Sequence, residues 1–85
     1  MDTPDEITTG VRKIIGEMCP LGRREVGPDD RIMDDLGYDS MGIVELAVVL
    51  ESEFALEPIE DEQAIDLVTV GDVETLVRHL AAART

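Results

Sequence analysis

Eighty-five residues, 44% of them hydrophobic but only 2% aromatic, make one small domain with an aliphatic core, well above the composition of disordered chains. A domain of this size buries roughly 60% of its unfolded surface, which leaves room for one core and one site. The net charge of −13 is unevenly placed, because 13 of the 20 acids and none of the 7 Lys and Arg lie between Ile32 and Val77. That field repels nucleic acid and anionic membrane surfaces and steers basic partners inward, unless it is no more than a solvated surface.

No run approaches the ~20 apolar residues of a membrane span, and the start, Met1-Asp2-Thr3-Pro4-Asp5-Glu6, is acidic where a signal peptide is basic. The chain is expected to be cytoplasmic and to form a single free-standing domain over residues 1–85. Cys19 is the sole cysteine, so no internal disulfide forms and no cysteine metal array exists. It reads as a small buried hydrophobe.

Thr3-Pro4-Asp5-Glu6 has the form of a capping box with Pro at the first helical position. Ile7, Val11, Ile14, Ile15 and Met18 then form one apolar stripe, and Pro20 and Gly22 end it, which predicts a helix from Pro4 to Met18. Residues 21–39, punctuated by Gly22, Gly27, Pro28 and Gly37, predict a long loop pinned by Val26, Ile32, Met33 and Leu36. From Ser40 to Phe54 the period is helical again, with Ile43, Leu46, Ala47, Leu50 and Phe54 inside a sector of about 100°. The far side of that helix carries Met41, Val44 and Val48 beside Glu45, Glu51 and Ser52. Such a strip is either covered by the loop or exposed for docking, and carboxylates at its edge disfavour burial.

Glu57 and Pro58 break this helix, and Glu60-Asp61-Glu62 opens a short third helix in which Ala64, Leu67 and Val68 are expected to turn inward. Thr69-Val70-Gly71-Asp72 resembles a capping box with Asp in place of Glu. Val70, Val73, Leu76, Val77, Leu80 and Ala81 follow at helical spacing, which predicts a last helix from Val70 to Ala83. Arg78, His79 and Arg84 near its end suit the negative pole of the helix dipole. The fold class is all-α: a bundle of three longer helices and one short third helix, with a long loop between the first two.

Ser40 stands where the acidic loop turns into the central helix. A hydrolytic triad there lacks its parts: Gly42 is the one flanking glycine, and His79, the sole histidine, lies on another helix. A calcium loop fails as well. Starting at Asp34 puts Glu45 twelfth, but Leu36 and Tyr38 occupy ligand positions and Asp39 replaces the required glycine. No catalytic residue and no metal ligand is assigned. Two readings of Ser40 remain, a plain N-cap serine or the bearer of a phosphodiester, since free amides and the positive helix end favour a phosphate.

The run Asp35-Leu36-Gly37-Tyr38-Asp39-Ser40-Met41, followed by Val44-Glu45-Leu46 and Leu50-Glu51-Ser52-Glu53-Phe54, closely resembles the acyl carrier protein family. The likeness extends through Ala64 and Leu67 to the Thr69-Val70 start of the final helix. It implies that a phosphopantetheinyl transferase moves the 4'-phosphopantetheine arm of coenzyme A onto Ser40, with Asp39 as the flanking motif residue, and that acyl intermediates ride on the arm's thiol. It implies a carrier that catalyses nothing and acts as a monomer. Met41, Val44, Glu45, Val48 and Glu51 would meet basic, partly apolar patches on loading enzymes and downstream synthases. Ala47, Leu50, Ala64, Leu67 and Leu76 are candidate walls for sheltering an acyl chain, by movement of the core rather than in a preformed pocket.

Two departures stand out. Gly42 occupies a position where many relatives carry an acid, and Glu57-Pro58-Ile59-Glu60-Asp61 reads as one residue longer than in common fatty-acid carriers. The second favours a specialised pathway, polyketide or fatty-acid-like. Asp39-Ser40-Met41-Gly42 with Val44 is also similar to D-alanyl carrier proteins, so aminoacyl or peptidyl carriage is the alternative. An acidic helical adaptor that is never modified is the alternative of a different class.

Overall fold

The computed structural model describes the backbone of residues 3–84 and the side chains of residues 6–82. Four helices appear, α1 (Thr3–Glu17), α2 (Ser40–Phe54), α3 (Asp61–Ile65) and α4 (Val70–Arg84), and there is no strand among the described residues. The proposed capping box at Thr3 and the Arg84 side chain at the far end lie outside the described side chains. At the start of α4 the predicted box is present: the Thr69 hydroxyl accepts from the Asp72 N–H at 3.1 Å, and the Asp72 carboxylate accepts from the N–H of Thr69 at 3.1 Å and of Val68 at 3.0 Å.

Helix α1 runs antiparallel to both α2 and α4. Gly10 faces the Phe54 ring at the far end of α2, whereas Ile15 meets Tyr38 just before its start. Against α4, Arg12 reaches Glu74 at 2.5 Å and Thr8 takes a hydrogen bond from Arg78. The Glu74 carboxylate is almost wholly buried, and its hydrogen bond, ahead of simple charge attraction, raises the Arg12 pKa above its ordinary value. The predicted stripes supply the core: Val11 and Ile15 from α1, Ile43, Leu46, Ala47 and Leu50 from α2, and Val70, Val73 and Val77 from α4 are buried together. Among the described residues, α2 is the one helix that α3 packs on.

The long connection is tied down along its whole length. Ile32 N–H donates to Val68 O at 2.8 Å, Val70 N–H to Asp30 O at 3.0 Å and Gly71 N–H to Pro28 O at 2.9 Å, so the connection is laced to the head of α4. Val26, Ile32 and Leu36 are buried as expected, but Met33 is exposed. The chain makes a helical turn there, with Asp35, Leu36 and Gly37 N–H groups on Arg31 and Met33 carbonyls, and one turn can aim only part of its side chains inward. Val68 is likewise exposed, against expectation. Its N–H is held by Asp72 and its carbonyl by Ile32, which fixes the backbone with the side chain outward.

Tyr38 is the anchor of this segment. It is buried, and its hydroxyl donates to the Ile15 carbonyl at 2.7 Å. Gly37 before it adopts a φ of 81°, a left-handed turn that favours glycine, and Leu21 lies over it. Burial, and secondarily the nearby Cys19, holds the Tyr38 phenol protonated above its ordinary range. In the unfolded chain the phenol ionises near pH ~10. Its contribution to stability is therefore whole below that pH and is lost as pH rises from there through the raised folded-state value. Tyr38→Phe leaves a buried carbonyl without its donor and is expected to lower stability by about 1–3 kcal/mol. Urea unfolding from neutral to alkaline pH checks both points, the variant being less stable at neutral pH and losing less on the alkaline side.

Candidate functional site

Ser40 is the first residue of α2, and the cap belongs to its neighbour. Asp39 has extended backbone angles, its side chain accepts the Gly42 N–H at 2.7 Å, and its carbonyl accepts Ile43 N–H at 2.9 Å. The capping reading of Ser40 is therefore corrected: an aspartate one residue earlier already satisfies the third amide of the helix. The Ser40 hydroxyl is exposed and makes no hydrogen bond to any described residue. Gly42 suits the same arrangement, because a Cβ there would stand 3.2 Å from both Asp39 Oδ1 and the Tyr38 ring.

The amides of Ser40 and Met41 sit in the first turn, where no intrahelical carbonyl reaches them. A phosphate on Ser40 Oγ would meet these donors and the positive end of the helix dipole, while the Asp39 carboxylate is turned onto Gly42. The donor set fits a phosphodiester. Tyr38, two residues upstream and locked to α1, fixes where this end of α2 sits.

Along α2 from Ser40, Met41 is 73% exposed and Val48 57%, with Glu45 exposed and Val44 half-buried. Glu51 differs from the other acids of the strip. It is half-buried at the edge nearest α3, and its carboxylate accepts the Ile59 N–H at 2.6 Å. Sequence reasoning missed that bond, which crosses eight residues and carries no periodic signal. It also missed the exposed Leu21 and Ile65, apolar residues on the connection and on α3. Of the proposed walls, Ala47, Leu50 and Ala64 are buried, and Leu67 and Leu76 are half-buried against the same core.

Two clefts lie elsewhere. One of about 680 Å³ runs along α1 past Arg12, Lys13, Arg23 and Arg24, and one of about 460 Å³ lies between α1 and α2 at Ile14, Met18, Val49 and Phe54. Neither is lined by any of the five wall residues. Among the described residues there is no group of three or more His, Cys, Asp or Glu placed to hold a metal ion, and no helix is long and apolar enough to cross a membrane.

The family model described as "Phosphopantetheine attachment site" matches residues 9–77. The chain belongs to the acyl carrier protein family. It is 38% identical over 78 residues to the meromycolate extension acyl carrier protein of Mycobacterium leprae, which covers 92% of this chain and 67% of that protein. The protein of the same name from Mycolicibacterium smegmatis is also 38% identical, over 92% of this chain and 78% of its own. The fold is shared with the acyl carrier protein of Thermotoga maritima, at a TM-score of 0.77 and 24% identity over 96% of this chain and 94% of that one. It is shared too with the 3,5-dioxohexyl acyl carrier protein, a triketide mimic, of the actinorhodin polyketide synthase of Streptomyces coelicolor, at a TM-score of 0.68 and 26% identity over 100% and 96%. The family's prosthetic group is a covalently attached 4'-phosphopantetheine, and a carrier domain of this kind is not an enzyme.

The division of labour between Asp39 and Ser40 has a measurable consequence. Asp39→Ala removes the cap and is expected to lower stability by about 1 kcal/mol, or roughly 5 °C in Tm for a domain of this size. Asp39→Asn keeps an acceptor for Gly42 N–H and retains most of it, as thermal unfolding of the three proteins reports.

Proposed function

We propose that Ser40 bears the family's 4'-phosphopantetheine and that the chain carries acyl intermediates as thioesters in the assembly of a long-chain lipid or a polyketide. The observation that carries this reading is the exposed, unbonded Ser40 hydroxyl at the head of α2, beside two free first-turn amides. When bound, the arm supplies the thiol to which cargo is esterified. The chain's own residues hold, orient and present it.

Loading is the work of a phosphopantetheinyl transferase acting with coenzyme A. The bond from Ser40 Oγ to the arm's phosphorus forms, the phosphoanhydride bond of coenzyme A breaks, and the adenosine bisphosphate half leaves as the hydroxyl gives up its proton. Met41, Val44, Glu45 and Val48 present an apolar strip with a carboxylate beside it to basic patches on the loading enzymes and synthases. These contacts are transient, with interfaces below about 1,200 Å², because a carrier must leave each enzyme. Cargo shelters between α2 and the later helices by displacing Ala47, Leu50, Ala64, Leu67 and Leu76. The specialised pathway draws support from relatives named for meromycolate extension and from a neighbour that belongs to a polyketide synthase; the same names favour acyl over aminoacyl cargo.

Intact mass after incubation with coenzyme A and a broad-specificity transferase tests the attachment. The wild-type chain gains one phosphopantetheine and Ser40→Ala gains none; no gain in the wild type, or a gain that survives the substitution, sinks the assignment. For docking, Glu45→Gln is expected to lower kcat/KM for arm transfer roughly threefold at low salt. The difference should vanish toward 1 M salt, where the Debye length is about 3 Å. Equal rates at low salt would remove Glu45 from the docking face.

A further inference from the structure

One residue of α2 takes several amides of the link to α3. The Glu51 carbonyl accepts the N–H groups of Ala55 and Leu56, where the chain turns out of the helix through the left-handed Ala55. Its carboxylate takes the N–H of Ile59 at 2.6 Å, a charge-assisted bond in a partly buried place. Three amides of the six-residue link 55–60 thus end on Glu51.

What hangs from that link is held at its far end, where Val68 is bonded to Ile32 and Asp72, so the link is its other fastening. Helix α3 has five residues, far short of the length at which a helix is stable alone, and among the described residues α2 is the one helix it touches. Ile59 just before it and Ala64 within it are buried anchors, whereas Ile65 is exposed. Glu51 also lies three residues from Val48 and seven from Val44 on the helix surface, so the same carboxylate borders the exposed strip.

We infer that Glu51 is a latch on α3, opened by the docked enzyme. A guanidinium on the partner takes the carboxylate in a two-pronged grip, the Ile59 amide loses its acceptor, and α3 swings away from the α2 face that carries Ala47 and Leu50. Docking and exposure of the sheltered cargo become one event. The inference rests on the carrier reading and assigns Glu51 a positioning role that the other acids of the strip do not share.

Amide hydrogen exchange on the unmodified full chain tests the latch without requiring any arm on Ser40. In Glu51→Ala the exchange of Ile59 and of residues 61–65 is expected to rise roughly 10-fold to 100-fold, while Val11 and Val73 hold their protection. Glu51→Asp keeps the charge but shortens the reach and should behave alike. Glu51→Gln keeps an acceptor and should stay within a few-fold of the wild type. Adding a phosphopantetheinyl transferase without coenzyme A should move the Ile59 amide resonance of the wild type toward its position in Glu51→Ala, and leave that of Glu51→Gln in place. Unchanged exchange in both Glu51→Ala and Glu51→Asp, a rise spread evenly over all helices, or an Ile59 resonance that stays put while Met41 and Val48 respond to the transferase would overturn the proposal. Failure of the Ser40 mass gain with the local exchange contrast intact would instead strike the carrier reading.

Discussion

The hydrogen bond from the buried Tyr38 hydroxyl to the Ile15 carbonyl is the constraint on which the rest of the site is built. A helix end leaves its last carbonyls without partners. In α1 these are met by Met18 N–H on Ile14 O, by Tyr38 on Ile15 O, and by Arg24 N–H on Gly16 O at 3.2 Å. Two of the three donors come from the long connection, so that segment is the C-terminal cap of α1 and not slack between helices. The fit is close: a Cβ on Gly16 would fall 2.1 Å from the Arg24 carbonyl oxygen, a place only glycine can occupy. Cys19 adds a weaker tie, its thiol donating to the Leu36 carbonyl at 3.1 Å. Because Tyr38 lies two residues before Ser40, fixing the end of α1 also fixes where the carrier's exposed serine is presented.

Periodicity made the helices legible, since the buried faces of α1, α2 and α4 are built from aliphatic residues at helical spacing. The ends were legible where the cap is chemical: Thr69 and Asp72 announce α4, and Ser40 and Phe54 bound α2 as read. The acyl carrier resemblance rested on the run around Ser40 and held over most of the chain. What stayed hidden depends on contacts between distant residues. Nothing in a pattern says that Tyr38 reaches back 23 residues, that Glu74 is buried because Arg12 comes to it across 62, or that Glu51 turns to Ile59. Met33 and Val68 were misplaced for the same reason. Both are apolar, but backbone bonds made elsewhere settle which way each points.

At the serine, two adjacent residues share work that either could have done. Asp39 takes the cap, the commoner task for a polar residue before an amphipathic helix, and so leaves the neighbouring hydroxyl unbonded. A serine in the capping position would spend its oxygen on a backbone amide and point along the helix axis. One residue later, the same hydroxyl faces solvent beside two free amides. The sequence Asp-Ser, a weak signal by itself, acquires its meaning from this shift of a single position.

Fastening is unevenly distributed within the bundle. Helices α1 and α4 are joined by a buried carboxylate with its guanidinium partner and by the Arg78 to Thr8 bond, and they share the valine and isoleucine core. Separating them would break this pair and expose the shared core of Val11, Ile15, Val70, Val73 and Val77 to water. Moving α3 from α2 exposes Ile59 and Ala64 and part of the α2 face opposite them, a far smaller area than the core shared by α1 and α4. Local opening at α3 therefore comes well before global loss of structure. The α1–α4 pair is the fixed part of the bundle, and through Tyr38 on Ile15 O it holds the head of α2, with the exposed serine and its Asp39 cap, in register.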